Sequence, residues 1–230
     1  MKGIVLVASL LVSTTALFAG TAQDRLKESA DVLSEVMSTP DKGIPQDLLS
    51  KAECVVIIPG LKKAAFVVGG EYGRGFAECR RTSGTGWGAP AAVRMEGGSY
   101  GFQIGGSSTD LVLLIMNQNG MKKLLDSKFT LGADASVAAG PVGRSADAKT
   151  DAYMSAEILA WSRTKGLFAG IALNGATLRN DLDENAELYG SKLTNKQVIE
   201  GSTKVPAAAE PLIHVLDRYS ARGTADRSVK

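Results

Sequence analysis

Apolar positions change their period twice along this chain, dividing it into helical ends around a strand-rich middle. Over residues 23–39, Leu26, Ala30, Leu33 and Met37 recur at helical spacing, while Arg25, Lys27, Glu28, Asp31 and Glu35 take the other faces. That pattern predicts an amphipathic helix, stopped by Pro40 and Gly43. A second short helix is expected over 45–51, with Leu48 and Leu49 facing inward. From Cys54 the pattern becomes short apolar, β-branched runs: 54–58 closed by Pro59-Gly60, 64–68 closed by Gly69-Gly70, then 75–80, 91–95, 100–104 and 111–116. Each is bounded by Gly, Ser or Asn, as in an antiparallel meander or a partly closed barrel. Residues 120–126 read as a helix and 131–139 as extended chain. Two strands follow over 156–163 and 167–173, turned by Lys165-Gly166, then a helix over 176–188. Residues 206–211 are linker-like, 211–219 form a last helix, and 221–230 read as a disordered tail. The fold class is α+β: a strongly bent antiparallel sheet or small barrel packed with N- and C-terminal helices.

Composition sharpens this picture in two places. Aromatics are 6% of the chain while Gly numbers 26, so the core is aliphatic and the backbone rich in tight turns. The first 22 residues read as an export leader: Lys2 is the only charge, 3–18 is apolar, and Gly20 and Ala22 are the small residues a signal peptidase requires. A membrane anchor is the competing reading, but Ser9, Ser13, Thr14 and Thr15 dilute the stretch and no basic stop-transfer flank follows. No Cys follows it to carry a lipid. The domain therefore spans 23–220, in the periplasm or secreted. Without Lys2 the chain carries 25 Lys and Arg against 24 Asp and Glu, a balance that argues against a general nucleic-acid binder.

Candidate chemistry is sparse. The single histidine, His214, lies in the terminal segment, and no Gly-x-Ser-x-Gly elbow supplies a nucleophile for it. One His and two distant Cys do not make a zinc site, so neither metal nor cofactor is expected. Residues 84–89 match Gly-x-Gly-x-x-Ala, but they do not open a helix, so a hairpin loop is the better reading. Asp110, Asp134, Asp147, Asp151, Asp181 and Asp183 fit caps and turns better than a calcium loop. In an oxidising compartment Cys54 and Cys79 are a disulfide candidate; the alternative is two small buried side chains that never meet. Basic residues sit at several expected turns: Lys62-Lys63, Arg74, Arg80-Arg81, Lys122-Lys123 and Lys128. Clustered, they would form an anion-attracting rim; otherwise they are scattered solvated charge.

Five blocks occur in an order that resembles the SYLF-domain family: CVVIIPGLKKAAFVVGGEYGRGF (54–76), GWGAPAAV (86–93), GGSYGFQIGGSSTDLVLLIMN (97–117), KFTLGADASVAAGPVGR (128–144) and KGLFAGIALNGATLRND (165–181). The resemblance covers 44–190 and implies a non-enzymatic lipid-binding module, with membrane-trafficking adaptors and yeast actin-bundling proteins as relatives. It makes Lys62 and Lys63 leading headgroup contacts, with Arg74 and Arg81 beside them and Trp87 or Leu61 dipping into the interface. The expected partner is an anionic phospholipid or membrane surface. An envelope scaffold or protein-interaction module is the alternative; actin bundling fits poorly with export. A hydrolase built on His214 or the Asp residues lacks its constellation.

Overall fold

A computed structural model describes residues 20–39, 43–81, 86–143, 153, 155–164 and 166–220. The leader residues 1–19, Pro40, Gly84, Thr85, Asp147, Asp151, Lys165 and the tail 221–230 lie outside these.

The first helix, α1 (Ala22–Met37), opens with a capping box: the Thr21 hydroxyl accepts from the Asp24 N–H, and the Asp24 carboxylate accepts from the Thr21 N–H. Its apolar stripe of Leu26, Ala30, Leu33, Val36 and Met37 is buried. α2 (Gln46–Lys51) buries Leu48 and Leu49 as the spacing predicts.

The six expected short strands are two long ones. β1 (Cys54–Cys79) pairs antiparallel with β2 (Ala91–Ile115) from Cys54↔Ile115 to Ala77↔Ala91. Pro59 and Gly60 do not end β1. The register shifts between Ile58 and Leu61, Gly60 takes a φ of 60°, and its N–H donates to Asp110 Oδ1 at 2.8 Å. A carboxylate thus satisfies the donor that the ladder releases, so the strand kinks and continues.

β2 organises the rest of a seven-stranded sheet. Near its start it pairs with β7 (Thr177–Asn180), which pairs with β3 (Lys128–Thr130). Near its end it pairs with β5 (Ile158–Thr164), which carries β4 (Val137–Ala139) in parallel and β6 (Leu167–Gly170) antiparallel. The sheet curls into an open half-barrel. The curl brings the ends of β1 together, and a Cys54–Cys79 disulfide joins them across Cα atoms 4.0 Å apart. Gly75 is required at this crossing, because a Cβ there would lie 1.9 Å from the Ile57 carbonyl oxygen.

Both faces of the sheet's paired ends are covered. Val56, Ile58, Val93, Met95, Leu113 and Ile115 fill the inside of the curl, with Phe129 and Leu178. Val55, Ile57, Phe76, Val112 and Leu114 face outward under the terminal helices. Burial on two faces is why these strands read as unbroken apolar runs.

The helix expected over 120–126 is α3 (Gln118–Leu125), but that expected over 176–188 is instead β7 followed by α4 (Leu182–Tyr189), capped by Asp181. Strand pairing with β2 and β3 captures Thr177–Asn180, overriding local propensity. The linker-like stretch is also structured: α5 (Asn195–Glu200), a 3₁₀ turn (Ala207–Ala209) and α6 (Glu210–Ser220) follow, with Ala209, Leu212 and Leu216 fully buried against α1 and α2.

Candidate functional site

Lys62 and Lys63 stand on the β1–β2 ribbon where it leaves the helices. Lys62, opposite Ser108, is exposed; its Nζ lies 3.1 Å from Ser108 Oγ and meets no carboxylate among the described residues. Lys63 Nζ reaches Glu71 Oε2 at 3.1 Å, spanning the bent ribbon. These lysines therefore lie within a continuous strand, two residues past its bulge, and not on a turn that ends it.

The other three predicted contacts are occupied within the protein. Arg74 makes a two-pronged pair with Asp181, at 2.6 and 2.8 Å, and its Nε also lies 3.0 Å from Glu184 Oε2. Arg25 of α1 pairs with Glu184 from the other side, so four charges tie α1, β1 and α4 together. Burial by itself would raise the Asp181 carboxyl, but hydrogen bonds from Arg74 and the Glu184 N–H and the charges of Arg74 and Arg94 hold it below its ordinary value. Burial prevails at Glu184 and raises it despite both arginines. Arg81 donates through Nε to the Trp87 carbonyl at 2.7 Å.

Trp87 is not an interfacial aromatic. It is fully buried, its Nε1–H donates to Ser220 Oγ at 3.1 Å, and the Arg80 guanidinium stacks 4.1 Å from its ring centre. Arg80 in turn donates to the carbonyls of Leu49 and Ser50, so the indole joins α2, α6 and the β1–β2 connection. Leu61 is 1% exposed and packs inside the curl. Neither reaches a surface, because the register shift before Leu61 turns its side chain inward and α6 closes over Trp87.

Two half-buried arginines that no expected turn marks lie on the outer face of the sheet. Arg94 Nε and Arg179 Nη1 sit 2.9 and 3.0 Å from the two oxygens of Glu96. Only strand register, which periodicity does not give, brings them together.

Asp134 and Asp181 serve turns and caps as expected, but Asp110 lies within β2 and its partners are distant in the chain. Asp110 accepts from Gly60 and Arg163, Asp134 from the Thr130 N–H, and Asp181 caps α4, while Asp183 pairs with Lys192. His214 is exposed on α6. Among the described residues no cluster of His, Cys, Asp and Glu is arranged to hold a metal ion, and no helix is long and apolar enough to cross a membrane.

Residues 96–219 match a family described as "Ysc84: Las17-binding protein actin regulator". Protein YSC84 of Saccharomyces cerevisiae is 36% identical over 180 residues, which is 77% of this chain and 38% of that protein. SH3 domain-containing protein PJ696.02 of Schizosaccharomyces pombe is 39% identical over 76% of this chain and 41% of its own length. SH3 domain-containing YSC84-like protein 1 of Homo sapiens is 31% identical over 85% of this chain and 56% of its own. This chain thus spans about half or less of each of these relatives.

Proposed function

The chain belongs to the Ysc84 (SYLF-domain) family, and from that premise we propose that it is a non-catalytic module that binds anionic phospholipid bilayers peripherally. The observation that carries this reading is the ribbon around Lys62. Lys62, Gly70, Tyr72, Gly98, Ser107 and Ser108 are all exposed there. Lys62 and Lys63 directly precede the apolar run of residues 64–68, which pairs with the glycine-rich stretch 100–106 of β2. Cations flanking an apolar segment suit the boundary between headgroups and acyl chains.

Export by the leader would take the protein to the periplasm or outside the cell, where phosphatidylglycerol or cardiolipin would be the accessible anionic lipids. The amphipathic α1 is not the membrane-binding element in this reading, since its apolar stripe is spent on α6 and the sheet.

Flotation of the exported protein with neutral and anionic vesicles, at low and high salt, tests the proposal. Each Lys or Arg near an anionic surface contributes about 1 kcal/mol. Binding is expected only to anionic vesicles and to weaken with salt. Equal binding to neutral vesicles would overturn the electrostatic mechanism.

A protein-interaction module is the second reading, favoured by the family's description as a Las17-binding protein and actin regulator. Absence of flotation with either vesicle, together with specific envelope-protein crosslinks, would favour it.

A further inference from the structure

We infer that the headgroup-binding face is the partly exposed outer face of β2, β7 and β3, where Arg94, Arg179 and Lys128 contact the phosphates of an anionic bilayer. This rests on the lipid-binding reading above and adds which surface performs it.

Register makes the case. Lys128 is opposite Arg179, Arg179 opposite Arg94, and Arg94 opposite Arg74, so four adjacent strands place a cation at the same level. Strands lie about 4.8 Å apart, so the row runs roughly 14 Å across the sheet. The next row is Thr130, Thr177, Glu96 and Tyr72, with Tyr72 48% exposed at its end. Phe129, Leu178, Val93 and Met95 alternate with these residues and point into the curl. The cationic side chains therefore share the opposite face, where they are half-buried or exposed.

Like charges directly opposite each other on paired strands are destabilising. Only part of that cost is relieved. Arg74 is taken by Asp181, and Arg94 and Arg179 share the single Glu96 carboxylate. Lys128 faces Arg179 with no carboxylate of its own among the described residues. Arg94 also lies near enough to Asp181 to feel its charge, so the surplus for an anionic partner rests mainly on Arg179 and Lys128. Arginine forks grip phosphate oxygens in pairs, threonine hydroxyls add donors, and a half-exposed tyrosine suits the headgroup level.

The test uses the full exported protein and phosphatidylcholine vesicles with and without phosphatidylglycerol. Arg179→Gln/Lys128→Gln is compared with Lys62→Ala/Lys63→Ala, with circular dichroism as the folding control. Losing two surface cations is expected to weaken binding about 25-fold. Lys128→Glu serves as a second variant: it gains an ion pair with Arg179, so its melting temperature should hold or rise while binding falls by about fivefold or more. Binding that survives both changes but is lost in Lys62→Ala/Lys63→Ala overturns this face and leaves the lipid reading standing. Wild-type protein that floats with neither vesicle overturns both.

Discussion

Glu78 is the residue whose chemistry is furthest from its surroundings. It is 1% exposed, and among the described residues neither carboxylate oxygen has a hydrogen-bond partner. Burial first, and then the charge of Asp217, raise its carboxyl well above the ordinary value of 4.5. Burial and the Glu78 charge likewise raise the Tyr189 hydroxyl. Below about pH 4.5 Glu78 is protonated in both folded and unfolded chains and costs no charge burial. As pH rises from there, the unfolded chain releases the proton first, and stability falls until the folded carboxyl ionises. Glu78→Gln should remove this dependence. Urea unfolding from pH 5 to 8 should show wild type losing on the order of 2 kcal/mol relative to the variant. An equal pH slope in both proteins would contradict the assignment. Lys62 was legible as an accessible cation, since a lysine beside Pro-Gly is seldom buried. Trp87 was not legible as a core residue: a glycine-flanked aromatic reads the same in a loop and beneath a helix docked 133 residues later.

At the scale of elements, β1 departs most from its sequence pattern. Its Pro-Gly and Gly-Gly pairs are ordinary strand terminators, yet the partner strand carries the pairing through them. The bent strand depends on closing its ends. A disulfide spanning 25 residues restricts the unfolded chain by about 3.5 kcal/mol in the loop-entropy picture. Cys54→Ser/Cys79→Ser should lower the unfolding free energy from urea titration by that amount, and reductant should do the same to wild type without affecting the variant. Helix α1 carries a smaller consequence. Its cap is Thr21, and the Ala22 N–H donates to Glu187 at 2.9 Å. A leader cut after Ala22 would forfeit both, the cap alone being worth about 1 kcal/mol.

Over the whole molecule, the half-barrel is completed by helices from opposite ends of the chain. α6 lies against α1 and α2 and supplies Leu212, Leu216 and the Ser220 hydroxyl that receives the Trp87 N–H. Removing it exposes two leucines' worth of packing and an indole, on the order of 5 kcal/mol, comparable with the entire stability of a small domain. Deletion of residues 210–230 should therefore abolish cooperative thermal unfolding, even though the five sequence blocks end at residue 181. A sharp transition in the truncated chain would show that the sheet folds alone.

The sequence by itself determined the helical ends, the strand-rich middle, the aliphatic core and the family, because each rests on local period or on residues in fixed order. It also ruled for turn and cap roles at Asp134 and Asp181, since those depend on neighbours in the chain, whereas Asp110 serves Gly60 and Arg163 from within β2. Tertiary structure alone decided that six runs are two strands, that residues 177–180 pair as a strand, and that Trp87 is interior. It also decided that Lys128, Arg179, Arg94 and Arg74 form one row. Pairing between strands sets all of these, and register is fixed by contacts between residues too far apart in sequence for any local period to reveal.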